Sequence, residues 1–163
     1  MTDNKKKDGP STQPDLFSSD ERQSKISRNH NHAVLYCDGA SSGNPGHSGI
    51  GAFLKIDSGD QQYRISEYIG IATNNVAEYT ALIKGLEKAA SLDIKRLDVF
   101  LDSELIVRQL NGVYKVKNKN LLPLFAKAKT YVDAFEHITV THVRRELNQE
   151  ADALARNGAS KKG

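Results

Sequence analysis

Residues 33–46 read AVLYCDGASSGNPG, an apolar run that meets an aspartate and then a stretch of Gly, Ser and Asn. AVLYC has the length and composition of a buried strand, and Asp38-Gly39 is turn chemistry that stops it. An acid at the carboxyl end of an apolar strand stands where open α/β sheets collect their ligands. On the C-terminal side, residues 48–56 (SGIGAFLKI) and 61–71 (QQYRISEYIGI) are rich in β-branched and aromatic residues. They read as two more strands, joined as a hairpin by DSGD at 57–60.

From Asn75 to Ser91 the period changes to three and four (Leu82, Ile83, Leu86, Ala89, Ala90), with Thr73, Asn74 and Asn75 as capping residues before it. RLDVFLD (96–102) is a fourth strand, and SELIVRQL (103–110) a helix that stops near Asn111-Gly112. Residues 120–135 form a helix with Pro123 in the first turn, where a missing N–H costs nothing. HITVTHV (137–143) is a fifth strand. Asn148 is expected to cap a last helix that Gly158 ends. The order β β β α β α α β α predicts an α/β domain, a mixed five-stranded sheet flanked by helices with right-handed crossovers.

Residues 1–32 contain only four apolar side chains, Met1, Leu16, Phe17 and Ile26, too few to offset the entropy of ordering them. They read as a disordered tail, and residues 33–160 as one compact domain. Net charge is +3, and residues 33–163 hold 17 basic and 15 acidic side chains. If several acids converge on bound cations, the remaining surface is basic enough for a polyanion. One cysteine, Cys37, excludes an internal disulfide and fits a reducing compartment. With no long apolar window and no signal-peptide core, the expectation is a cytoplasmic protein without membrane association. Nothing demands more than a monomer.

Four carboxylates take the positions a site would use: Asp38 and Asp102 at strand ends, Glu78 one turn into a helix on its apolar stripe, Asp152 opening the last helix. Hard divalent cations want carboxylate oxygens and water, and two such ions can clamp the attacking and leaving oxygens of a phosphodiester. Each acid also has a plain structural role: Glu78 and Asp152 favour a helix N-terminus, and Asp102 can cap the helix after it. The glycine-rich loop after Asp38 has neither the GxGxxG nor the GxxxxGK spacing, which disfavours nucleotide binding.

Four segments, YCDGASSGNPG, GIATNNVAEYTAL, VFLDSELIVRQL and THVRRELNQEADALA, occur in the order of the type 1 ribonuclease H family, and the resemblance covers nearly all of residues 33–160. It implies a ribonuclease H-like fold with sheet order 3-2-1-4-5 and cleavage of RNA paired to DNA. Asp38, Glu78, Asp102 and Asp152 would then hold two Mg²⁺ or Mn²⁺ ions, giving 5′-phosphate and 3′-hydroxyl products in replication or repair. Asn44, Asn74 and Asn75 match ribose-contacting positions, where the 2′-hydroxyl distinguishes RNA from DNA. Thr73 matches a contact to a DNA phosphate, and His142 a mobile histidine that carries a proton or promotes product release.

The chain departs from the family at Glu104, where many members have Gln. It also lacks the glycine-rich loop around the histidine, which makes Arg144 or Arg145 an alternative to His142, and the basic protrusion that grips the hybrid. Lys115 and Lys117, with Lys119, Lys127 and Lys129, are the expected phosphate contacts instead. In the tail, Gln13-Pro14-Asp15-Leu16-Phe17 resembles the peptide by which bacterial proteins dock on the sliding clamp, with Gln13, Leu16 and Phe17 as anchors. Two other functions share this fold: a silent nucleic-acid-binding module, and a nuclease for double-stranded RNA. Four acids kept in mutual repulsion argue for catalysis.

Overall fold

The computed structural model describes residues 32–57 and 61–162. The tail expectation, including Gln13, Leu16 and Phe17, lies outside the described residues, as does most of the 57–60 turn. His32 belongs to the first strand.

The chain runs β1 (His32–Gly43), β2 (Gly46–Ile56), β3 (Gln62–Ala72), α1 (Asn74–Ser91), β4 (Arg96–Leu101), α2 (Glu104–Leu110), α3 (Leu122–Ala134), β5 (His137–His142), a 3₁₀ turn (Arg145–Leu147) and α4 (Gln149–Ala159). The sheet order is β3-β2-β1-β4-β5. The first three strands are antiparallel, while β4 is parallel to both β1 and β5. This is the mixed topology expected from the sequence.

Alternation along the strands sorts the two faces. Ala33, Leu35 and Cys37 of β1 lie level with Leu97, Val99 and Leu101 of β4 and are all buried. Leu82 and Leu86 of α1 are fully buried as well, and each such leucine contributes about 1.5–3 kcal/mol. On the other face α4 crosses β1, β2 and β3, while Tyr36, Phe53 and Phe100 stack across three strands with ring centroids 6.3 and 5.2 Å apart.

Three local expectations change. Asp38-Gly39 is not a turn: β1 continues to Gly43, paired residue by residue with β2, and the reversal comes at 43–46. Gly39 serves close packing against α1, not chain reversal. Gly158 is the penultimate residue of α4 and does not end it; a Cβ there would stand 2.5 Å from the Glu67 carbonyl oxygen, so it lets α4 lie against β3. Asn148 precedes α4, but its side chain makes no capping bond.

Candidate active site

Asp38 lies on β1 between α1 and α4. Its side chain points to the α4 side by strand alternation, and Glu78 comes from α1 on the opposite side. They meet across Gly39, which has no side chain to separate them. Asp102 follows the last residue of β4, one position beyond Leu101, which lies level with Cys37. It is free of capping duty because Ser103 caps α2, its hydroxyl accepting from the Ile106 N–H at 3.3 Å. One oxygen from each of Asp38, Glu78 and Asp102 falls within 4.8 Å of the others.

Asp152, in the first turn of α4, stands beside this group, close enough that its charge raises the Asp38 pKa. It is held by two arginines, Arg156 at 3.0 Å and Arg145 at 3.8 Å. Burial, reinforced by the charges of Asp102 and Asp152, pushes Asp38 up to about 7 even though its hydrogen bond to Glu78 acts the other way. Burial and the Asp38 charge hold Glu78 well above the carboxylate range. The Glu78 Oε2 is buried without a hydrogen-bond partner. Like charges converging in a desolvated place, one with an orphaned oxygen, are the donor set a hard cation fits.

A cleft of about 580 Å³ opens over these acids, lined also by Ala40, Ser41, Asn74, Ser103, Arg145 and Arg156. A larger hollow of about 1050 Å³ lies at the amino ends of β4 and β5. Several of its charges are paired, His32 with Asp57 and Asp98 and Lys129 with Asp133, and the four acids are elsewhere.

The other expected residues fall at different distances from the chemistry. Thr73 caps α1, its hydroxyl accepting from the Val76 N–H at 3.3 Å. The Asn44 side-chain oxygen accepts from the Asn74 N–H at 3.0 Å, tying the β1–β2 hairpin to the start of α1. Asn75 is the next residue of that helix. His142 ends β5, exposed and outside the cleft lining, as are Lys115 and Lys117 in the exposed segment between α2 and α3. The Glu104 charge is met by Arg108, whose Nε and Nη2 lie 3.0 and 2.8 Å from the same oxygen.

Two residues at the site were not foreseen. Arg156 is four positions after Asp152, a helical spacing that could have pointed to it. Asn148 was read as a cap, and nothing in its flanking residues marks it as buried.

A family described as reverse transcriptase-like matches residues 36–158. The bifunctional protein Rv2228c of Mycobacterium tuberculosis is 42% identical over 123 residues, 75% of this chain and 34% of that protein. The chain therefore spans about a third of that relative's length. The solved N-terminal RNase H domain of the mycobacterial protein superposes with a TM-score of 0.76 at 39% identity, covering 78% of this chain and 98% of that one. A ribonuclease H of Ruthia magnifica is 40% identical over 139 residues, 77% of this chain and 93% of the relative. LC11-RNase H1, solved in complex with an RNA/DNA hybrid, matches with a TM-score of 0.71 at 38% identity over 79% of this chain and 97% of its own. The sheet order, the acidic cluster and these matches agree, and the chain belongs to the reverse transcriptase-like family, among its ribonuclease H members.

Proposed function

We propose that the protein is a divalent-metal-dependent endonuclease that cuts the RNA strand of RNA/DNA hybrids to 5′-phosphate and 3′-hydroxyl ends, acting in replication and repair. The observation that carries this reading is the convergence of Asp38, Glu78 and Asp102 within 4.8 Å, with Asp152 alongside. These four side chains would hold two cations, Mg²⁺ or Mn²⁺. Bound there, the ions would supply Lewis acidity, activating water and neutralising the leaving oxygen.

The remaining roles belong to the chain. Asn44, Asn74 and Asn75 present neutral amides to the ribose edges of the minor groove, and Thr73 presents the amino end of α1 to a phosphate of the DNA strand. From Leu105 to Val132 the sequence holds six basic residues and no acid, so Lys115 and Lys117 offer a positive edge for the hybrid backbone. Arg145, in the cleft and always charged, faces the phosphate at the reacting position. His142, exposed at the end of β5, has the role of carrying a proton or promoting product release.

Cleavage of an end-labelled RNA/DNA hybrid, beside RNA/RNA, DNA/DNA and single-stranded RNA, tests the reading with Mg²⁺, Mn²⁺ or chelator. The expected result is metal-dependent cutting of the hybrid alone, lost in Asp102→Asn. Binding without cutting would leave a silent module, and cutting of RNA/RNA would point to a double-strand ribonuclease. For the segment Gln13–Phe17 we propose docking on a replication sliding clamp through Leu16 and Phe17. Equal capture of the clamp by Leu16→Ala/Phe17→Ala and by the parent chain would remove it.

A further inference from the structure

Asn148 is 1% exposed, one of the few polar side chains the described fold buries. Its Nδ2 donates to the Cys37 carbonyl at 2.9 Å, and its Oδ1 is buried without a partner. A leucine of similar size would fill the space without burying an unpaired oxygen, so packing does not explain the amide. The donor does.

β1 and β4 pair in parallel as far as Cys37 opposite Leu101; beyond that point β1 continues beside β2. The crevice where the two parallel strands part is where Asp38 and Asp102 stand. At that parting the Cys37 carbonyl takes a hydrogen bond from Asn148, across 111 residues of sequence. The backbone of the same residue reaches the other side of the site. Its N–H donates to the Arg145 carbonyl at 3.0 Å, and its carbonyl accepts from the Asp152 N–H at 3.0 Å. One residue thus connects the strand position just before Asp38 with the helical turn that carries Asp152 and the short turn that carries Arg145.

We infer that Asn148 is a positioning residue that fixes the separation of Asp38 and Asp152, and through it the affinity of the site for the second of two divalent cations. The inference rests on the metal-dependent reading above. The side chain of Asp152 is held by Arg145 and Arg156, both exposed and themselves movable, and by a hydrogen bond to Asp38 that needs a proton on one of the two acids and is lost once both ionise to bind a cation. The buried amide is the rigid link between the two acids. Without it, α4 keeps its apolar contacts while Asp152 loses its set distance from Asp38.

Calorimetric titration of the full chain with Mn²⁺ tests this, with Asn148→Ala, Asn148→Thr and Asp38→Asn beside the parent. The parent chain is expected to bind two ions, and Asp38→Asn to lose that binding. Asn148→Ala is expected to weaken the second event about tenfold, the lower end for residues that orient metal ligands. Its KM for the hybrid should stay unchanged, with kcat reduced and recovered by excess Mn²⁺. A merely structural role would lower the melting temperature without moving the Mn²⁺ isotherm. If Asn148→Ala does not fold, Asn148→Thr, which keeps a hydroxyl donor too short to reach Cys37, gives the same comparison. A folded variant with the parent isotherm overturns the inference, and so does failure of both variants to fold, which would make Asn148 a stability residue. A parent chain that binds no Mn²⁺ overturns the metal-dependent reading itself.

Discussion

A Cβ built on Gly39 would stand 2.5 Å from the backbone nitrogen of Glu78, so β1 and α1 touch at the one point where a strand acid and a helix acid must meet. Gly39→Ala therefore has to push α1 away and carry Glu78 from Asp38. The helix backbone cannot give as a flexible side chain would, and overpacking of this kind costs about 1–3 kcal/mol. Hybrid cleavage should fall at least about a hundredfold, since displacement of a catalytic group by roughly an ångström has that effect. Denaturant melts and cleavage rates on the same preparation check both numbers.

The raised pKa of Asp38 makes the metal-free protein sensitive to alkali. An unfolded aspartate ionises near 3.9, whereas Asp38 in the fold holds its proton up to about 7. Between those values the native state binds more protons than the unfolded one, so stability declines as pH rises through the window. Thermal melts in chelator should show a lower melting temperature at pH 8 than at pH 5. Added Mg²⁺ should restore more at pH 8, where the ionised acids bind it, and Asp38→Asn should flatten the pH dependence.

His32 gives a second pH effect at the opposite end of the sheet. Its Nδ1 lies 2.8 Å from Asp57 and its Nε2 2.9 Å from Asp98, and the hydrogen bond to Asp57, ahead of that to Asp98, raises its pKa. The stabilisation is complete below the unfolded histidine value near 6.5 and is lost as pH climbs through the raised one. Because these side chains are a third exposed or more at Asp57 and Asp98, the contribution is about 1 kcal/mol or less. His32→Gln should lower the melting temperature at pH 6 and leave it almost unchanged at pH 9.

Much of this was legible in the sequence because period and punctuation mark elements well. The four acids stood out through their positions at strand ends and on an apolar helix face. What escaped depends on where two distant segments touch. Asp38-Gly39 is turn chemistry by composition, yet pairing with β2 carries the strand through it. Gly158 has the composition of a helix stop, but its role comes from β3, more than 80 residues away in the chain. The Asn148 side chain bonds to Cys37 instead of capping its own helix. A local reading sees the residue type, and only the packed sheet shows its partner.

Arg145 and His142 should separate in kinetics. Arg145 lines the cleft 3.8 Å from Asp152, whereas His142 lies outside the lining. Arg145→Ala should lower kcat about tenfold or more, because a cation near the reacting phosphate acts most on the charge of the transition state. His142→Ala should lose less, with the neutral-pH limb of its rate profile displaced. An unchanged pH profile would remove His142 from the proton pathway.

The lysines between α2 and α3 should be read through salt. Removing a phosphate contact weakens binding at every sequence and reduces the slope of log K against log salt by roughly one per contact. Lys115→Ala/Lys117→Ala should therefore raise KM for the hybrid at 50–100 mM salt and flatten the salt dependence by about two. kcat at saturating hybrid should stay the same, because neither side chain lines the acidic cleft. Arg108 should affect binding by a different route. It is spent on Glu104, and its guanidinium lies 5.4 Å from the Tyr114 ring centroid. Arg108→Ala should expose the Glu104 charge and loosen the segment that carries the lysines, weakening binding by repulsion that stronger salt relieves. Its salt slope and its recovery at high salt should follow those of the lysine variant, but adding Glu104→Gln to Arg108→Ala should restore much of the affinity, as it does not for the lysine variant.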